Sequence, residues 1–163
     1  MSVIYRRFSG SPTSTFITLT AALVNLRLDY GNSTLVDIPT YLVRRMQSAL
    51  NAAARLIFNL RRSDHITDAL VSLHWLRVSE RIDYKIAVLT YRVLHGDAPW
   101  YLGPFNSVVD LPSRWALRSA VTNRLVVPSV RLSTVGSGAF PVAAARIWNS
   151  LPEHVITAAT LQQ

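Results

Sequence analysis

Apolar residues recur at helical steps through the first two thirds of the chain and lose that rhythm in the last third. Residues 1–13 carry no period and end in Gly10-Ser11-Pro12, which reads as a flexible leader. A first helix is predicted from Ser14 or Thr15 to about Leu35, with Phe16, Leu19, Leu23 and Leu26 as its apolar face. Asp37-Ile38-Pro39 breaks it. The second helix, Thr40 to about Leu60, has the clearest pattern. Leu42, Met46, Ala49, Leu50, Ala53 and Ile57 fall within one sector about 100° wide at about 100° per residue. Arg44, Asn51, Arg55 and, where the helix runs that far, Arg62 stack on the opposite side. Arg45 and Arg61 lie toward the flanks. Ser63-Asp64-His65 ends this helix. A short third helix follows, about Thr67–His74, capped by Thr67. Leu70 and Leu73 are its apolar face, and Trp75 and Leu76 pack just beyond. His74, beside Trp75, reads as a structural histidine. The fourth helix, about Ser79–His95, stops at Gly96. It has two apolar faces, Ile82, Ile86, Leu89 and Val93 on one and Tyr84, Val88 and Tyr91 on the other. Between them Arg81, Lys85 and Arg92 form a narrow basic stripe.

Past Gly96 the texture changes. Residues 97–123 are a turn-rich connector. Arg124–Pro128 and Val130–Val135 alternate as two short strands would, and Gly136 and Gly138 mark a turn. Residues 139–150 read as a helix that Pro152 stops. The expected fold is mainly α: a bundle of about four helices over 14–96, then the connector, then a short β-hairpin and a C-terminal helix over 124–163. These parts are expected to pack as one domain.

Composition narrows the function. Basic residues number 17 against 9 acidic, a net charge of +8. Lys85 is the only lysine, so the basic surface is almost wholly arginine. Such a charge favours a polyanionic partner, and guanidinium groups suit phosphate oxygens. With no cysteine, disulfides and thiolate metal sites are excluded. The longest apolar stretch, Phe16–Leu28, is interrupted by Thr18, Thr20, Asn25 and Arg27 and is too short to span a bilayer. Residues 1–28 hold Arg6, Arg7 and Arg27, many Ser and Thr, and no acid before Asp29. Mitochondrial transit peptides share that composition, but a core helix explains the apolar part equally. The expected location is nuclear or cytoplasmic.

Catalytic patterns are missing. No phosphate-binding glycine loop, nucleophile elbow, metal-spaced histidine pair or paired aspartate cluster occurs. Gly136-Ser137-Gly138 is a lone turn motif. No cofactor or metal is expected, and no residue is a catalytic candidate. What remains is two arginine-rich helical stripes. Arg44, Arg55 and Arg62 form one, and Arg81, Lys85 and Arg92 the other. Either could track a phosphate backbone. Either could equally be the solvated back of a core helix.

Several segments in one order point further. They include Leu28-Asp29-Tyr30-Gly31-Asn32-Ser33 and Gln47-Ser48-Ala49-Leu50-Asn51-Ala52-Ala53-Ala54-Arg55-Leu56. Asp64-His65-Ile66-Thr67, Leu73-His74-Trp75-Leu76, Arg81-Ile82-Asp83-Tyr84-Lys85-Ile86 and Leu94-His95-Gly96 follow. Leu125-Val126-Val127-Pro128 and Ile147-Trp148-Asn149-Ser150-Leu151-Pro152 complete the series. Over about residues 18–155 this order resembles the C-terminal part of reverse transcriptase polyproteins of non-LTR (LINE-type) retrotransposons. Gly31 stands where that family has a cysteine, and Arg77, Trp100 and Ala145 where it has prolines.

The resemblance implies a thumb-like helical piece that follows the catalytic palm, cut before the family's usual end. The palm's Phe-x-Asp-Asp segment is absent, so the piece would be no enzyme alone. Its implied partners are an RNA or DNA backbone, bound weakly and with salt sensitivity, and the missing polymerase portion. No membrane is implied. The other reading is a domesticated or relic helical module that docks a protein through Trp100, Tyr101 and Trp115.

Overall fold

The computed structural model describes residues 14–31, 35–110, 123–132 and 136–158. The leader 1–13, residues 111–122 of the connector with Trp115, and the end of the second expected strand lie outside them. The described residues are mainly helical: α1 Ser14–Asp29, α2 Thr40–Phe58, α3 Thr67–Ser72, α4 Val78–Leu94, α5 Phe140–Ser150 and α6 Glu153–Ile156. Two 3₁₀ turns, Trp100–Leu102 and Val108–Asp110, lie in the connector. The chain divides into two compact units. The first takes in Met1–Asn32 and Ile38–Arg81, the second Ser33–Asp37 and Ile82–Gln163.

In the first unit α1 packs on α2, and α2 on α3. Their buried core is Leu50, Ala53, Ala54 and Ile57 of α2 with Ala69, Leu70, Trp75 and Val78. The α2 helix forms because alanine, leucine, methionine and arginine all favour it. Its buried sector is rotated by about 40° from the expected one. Ala54 is buried and Ala49 exposed. On α1 the expected face is overturned. Leu19, Leu23 and Leu26 are 60%, 59% and 71% exposed, and Ile17, Thr20, Ala21 and Val24 turn inward. The helix is apolar almost all round, so periodicity could not choose which side meets α2.

Helix ends explain the remaining differences. Gly31, at φ +75°, stops α1 short of Leu35. Asn59, Leu60 and Arg55 close α2: Asn59 is left-handed, and the Asn59 and Leu60 N–H groups both donate to the Arg55 carbonyl. In α3, His74 takes the left-handed position (φ 54°), its N–H donates to Val71, and Trp75 N–H donates to Leu70. Gly96 does the same for α4, with Asp97 N–H on the Arg92 carbonyl and Gly96 N–H on Val93. Three helices thus end in one geometry with three different residues at its strained position. His74→Gly should therefore raise stability by about 1 kcal/mol, and Gly96→Ala should lower it by about as much. At Gly96 the cost is purely torsional, because nothing lies within 4 Å of an added Cβ. Thermal melts of the two variants give opposite signs if these turns are as described.

At helix starts, Thr67 is the first residue of α3 rather than its cap. Ile66 precedes it, and no side chain caps the helix. The start of α4 is capped twice. Glu80 accepts the Arg77 N–H at 3.0 Å, and Gln47 of α2 accepts the Val78 N–H at 2.9 Å. Gln47 is itself held by its amide donating to Asn51.

The second unit replaces the expected β-hairpin. Among the described residues there is no strand, and residues 124–128 show no pairing with 130–132. One antiparallel bridge joins Ser107 to Leu125 instead, with Val108 N–H on Arg124 and Val126 N–H on Asn106. The other edge of Leu125 is taken by a side chain. The Asn149 amide accepts the Leu125 N–H and donates to its carbonyl, both at 2.8 Å. Trp148 Nε1 donates to the Asn123 carbonyl at 3.2 Å. The extended segment is satisfied on both edges, and Pro128 has no N–H to extend a ladder. Around it lies a core of Tyr91, Leu125, Ala145, Trp148 and Ile156, with Phe105 and Leu151 against it.

Candidate nucleic-acid interface

The basic stripe on α4 follows from what the helix buries. Ile82, Ile86 and Thr90 have almost no exposure, and the Thr90 hydroxyl, turned from water, donates to the Ile86 carbonyl. Thr90 lies about half a turn round the helix from Lys85 and Arg92. Those two cations are exposed, on one side, and seven residues or about 10 Å apart along the axis. Arg81 shares their side but is half-buried and already engaged within the protein. The second expected apolar face is only partly used. Tyr91 is buried, Val88 half-buried, and Tyr84 stands 59% exposed.

The α2 stripe is less regular. Arg44 is exposed, about 16 Å along the axis from Arg55. Arg55 is half-buried, and its Nε is covered with no hydrogen-bond partner among the described residues. Its stem lies on the protein and only the tip can reach out. Arg62 is exposed in the turn after α2, because Asn59 ends the helix before Arg62 can stack on Arg55. The rotation of the buried sector instead brings Arg45 onto the exposed side of α2. A buried sector centred on Ala53, as the sequence pattern predicts, would leave Arg45 on the flank.

The arrangement offers point charges and guanidinium forks at helical intervals. Among the described residues no group of acidic or histidine side chains could hold a metal. His74, at the end of α3, is exposed and serves the backbone turn. His95 packs flat on Tyr91, ring centroids 3.8 Å apart, and its Nδ1 bonds to the Tyr91 carbonyl at 2.8 Å.

A groove of about 680 Å³ between α3 and the start of α4 is lined by Val71, Trp75, Leu76, Arg77 and Glu80, among others. Its carboxylate is already occupied in capping α4.

Asp97 follows α4 and donates its N–H to the Arg92 carbonyl, so one acidic residue sits at the turn that carries Arg92. Asp83 and Glu80 project from other sides of that helix by the same helical geometry. Arg146 is the partner of Asp37 at 3.6 Å, an exposed pair of little energetic weight. Among the described residues no helix is long and apolar enough to cross a membrane. No protein-family model matches the chain, and neither a curated protein nor a solved structure matches it.

Proposed function

We propose that the chain is a fragment of a non-LTR retrotransposon RNA-directed DNA polymerase, from the region after the catalytic palm. Its role in this reading is to hold RNA or DNA by the backbone, without sequence preference and without catalysis of its own. The observation that carries the proposal is the one-sided basic edge of α4, with Lys85 and Arg92 exposed across the helix from the buried Thr90. A net charge of +8 supplies the long-range attraction. The other implied partner is the polymerase portion that precedes this region in such polyproteins.

Binding of a short duplex, titrated with salt, tests the reading. Affinity should fall steeply as salt rises, by about 0.9 in the log–log slope for each phosphate neutralised. Reversing Lys85 and Arg92 to Glu should weaken binding by roughly tenfold or more at low salt and flatten the slope by about two. Arg27→Glu with Arg131→Glu changes the net charge equally outside the stripes and should cost less. No binding at low salt, or tight binding indifferent to salt, would overturn the proposal.

A second reading, a helical protein-docking module, is favoured by one observation. Trp100 and Tyr101 are 88% and 68% exposed, more than core residues of their size would be. Trp115, the third aromatic of that reading, lies outside the described residues. The salt titration separates the two readings, since a protein contact centred on aromatics does not release counterions in proportion to phosphates.

A further inference from the structure

We infer that Trp100 and Tyr101 form a stacking platform for unpaired bases, set beside the α4 stripe so that one single strand engages both. The inference rests on the backbone-binding reading above and narrows it to single-stranded RNA or DNA.

Residues 97–103 leave α4 and come back to it. At one foot the Asp97 N–H donates to the Arg92 carbonyl at 2.8 Å. At the other, Gly103 lies so close to Val93 that an added Cβ would stand 2.8 Å from the valine Cγ1. Both feet therefore stand on a single turn of α4, the turn that carries Arg92. Trp100 is three residues from each foot, so its Cα lies within about 11 Å of either one. The aromatic pair cannot drift from the stripe by more than the span of a few nucleotides.

The loop is also stiffened at its tip. Pro99 leads into the 3₁₀ turn Trp100–Leu102, with Leu102 N–H on the Pro99 carbonyl and Gly103 N–H on Trp100. The two rings stand edge to face, centroids 6.3 Å apart. This leaves the indole almost wholly open to solvent. In water such a surface is costly to leave bare. Lys85 and Arg92 lie on the same helix that anchors it, and the one carboxylate in the loop, Asp97, sits at a foot rather than at the tip. Aromatic faces beside cations suit a single strand, whose bases stack while its phosphates meet the charges. A duplex keeps its bases stacked on one another and gains nothing from the platform. An uncharged protein surface would gain from the aromatics but not from the cations of the helix that anchors them.

The test compares the full chain with a Trp100→Ala/Tyr101→Ala variant and a Trp100→Phe/Tyr101→Phe variant. The probes are oligothymidine and a duplex of equal length, each at low salt. Expected for the alanine variant is a single-strand affinity lower by about 5- to 150-fold, with duplex affinity unchanged. The phenylalanine variant should recover most of the loss, since it keeps the ring faces. Melting temperature should not move, because both rings are exposed.

Equal loss on single strand and duplex would overturn the platform, as would no loss on either. In both those cases the backbone reading stands. Absence of any binding by the unaltered chain would overturn both together. Binding that stays intact on both probes while a protein partner is lost would assign the aromatics to protein docking and overturn the platform.

Discussion

Trp148→Ala should lower stability by about 3–5 kcal/mol, which corresponds to a fall in melting temperature of roughly 6–20 °C. Trp148 is 3% exposed and sits in the centre of the Tyr91, Leu125, Ala145 and Ile156 core. Removing the ring costs its transfer free energy and leaves a cavity walled by helices that close only partly. A second, smaller component is the bond from Nε1 to the Asn123 carbonyl at 3.2 Å. Trp148→Phe removes that bond with only part of the buried ring and should cost less than alanine, about 1–3 kcal/mol. Since domains of this size are stable by only about 5–15 kcal/mol, the alanine variant should lose a large part of its cooperative melt. A loss under about 1 kcal/mol for alanine would mean that Trp148 is not the centre of this core.

Asn149→Leu should cost about 2–6 kcal/mol although the side chain keeps its approximate volume. Both the N–H and the carbonyl of Leu125 would lose their partner, and each deserted group costs about 1–3 kcal/mol if it stays buried. Asn149→Asp gives the finer test. The introduced carboxylate still accepts the Leu125 N–H but has no hydrogen to offer the carbonyl. Protonation restores the donor, so the folded state favours the neutral acid and raises its pKa above the unfolded value. The deficit should therefore shrink as pH falls into the ordinary carboxylate range, near 4, and return as pH rises. Denaturant melts across that range measure it. A deficit that does not vary with pH would show that the amide nitrogen contributes nothing.

Much of the helical architecture is legible in the chain because its causes are local. The α2 and α4 boundaries follow from steps of three and four and from Gly96, and they agree with the structure to within one or two residues. Such ends are set by residues in contact along the chain. What could not be read has the opposite character. For α1, leucines on one side and Ile17 and Val24 on the other are equally apolar, so only the surface of α2 decides which is covered. Residues 124–128 alternate as a strand does, and they are extended. Their partners are Asn106 and Val108 on one edge and a side-chain amide 24 residues downstream on the other. No period in the sequence announces an asparagine that acts as a neighbouring strand.

The candidate site divides in the same way. Lys85 and Arg92 are legible because they fall between two apolar faces of α4, of which Ile82, Ile86 and Tyr91 are buried. Arg62 was misplaced because its position assumed one more turn than Asn59 allows. Arg55 was placed on the correct face but lies too near the shoulder of the buried sector to be fully free. Trp100 and Tyr101 could be named from the sequence as loop aromatics. Their exposure could not, since it depends on how residues 97–103 fold back on Val93.

The bracket around Leu125 also bears on how the chain is made. Asn149 leaves the ribosome 24 residues after Leu125. At about 5–20 residues per second, that leaves an interval of roughly one to five seconds in which one edge of the extended segment faces only water. An open edge is a template for other chains. Pro128, three residues on, alternates onto the other edge with Val126, which meets Asn106, so it withholds no donor from this one. The edge therefore stays open to mispairing until α5 emerges and the Asn149 amide closes it.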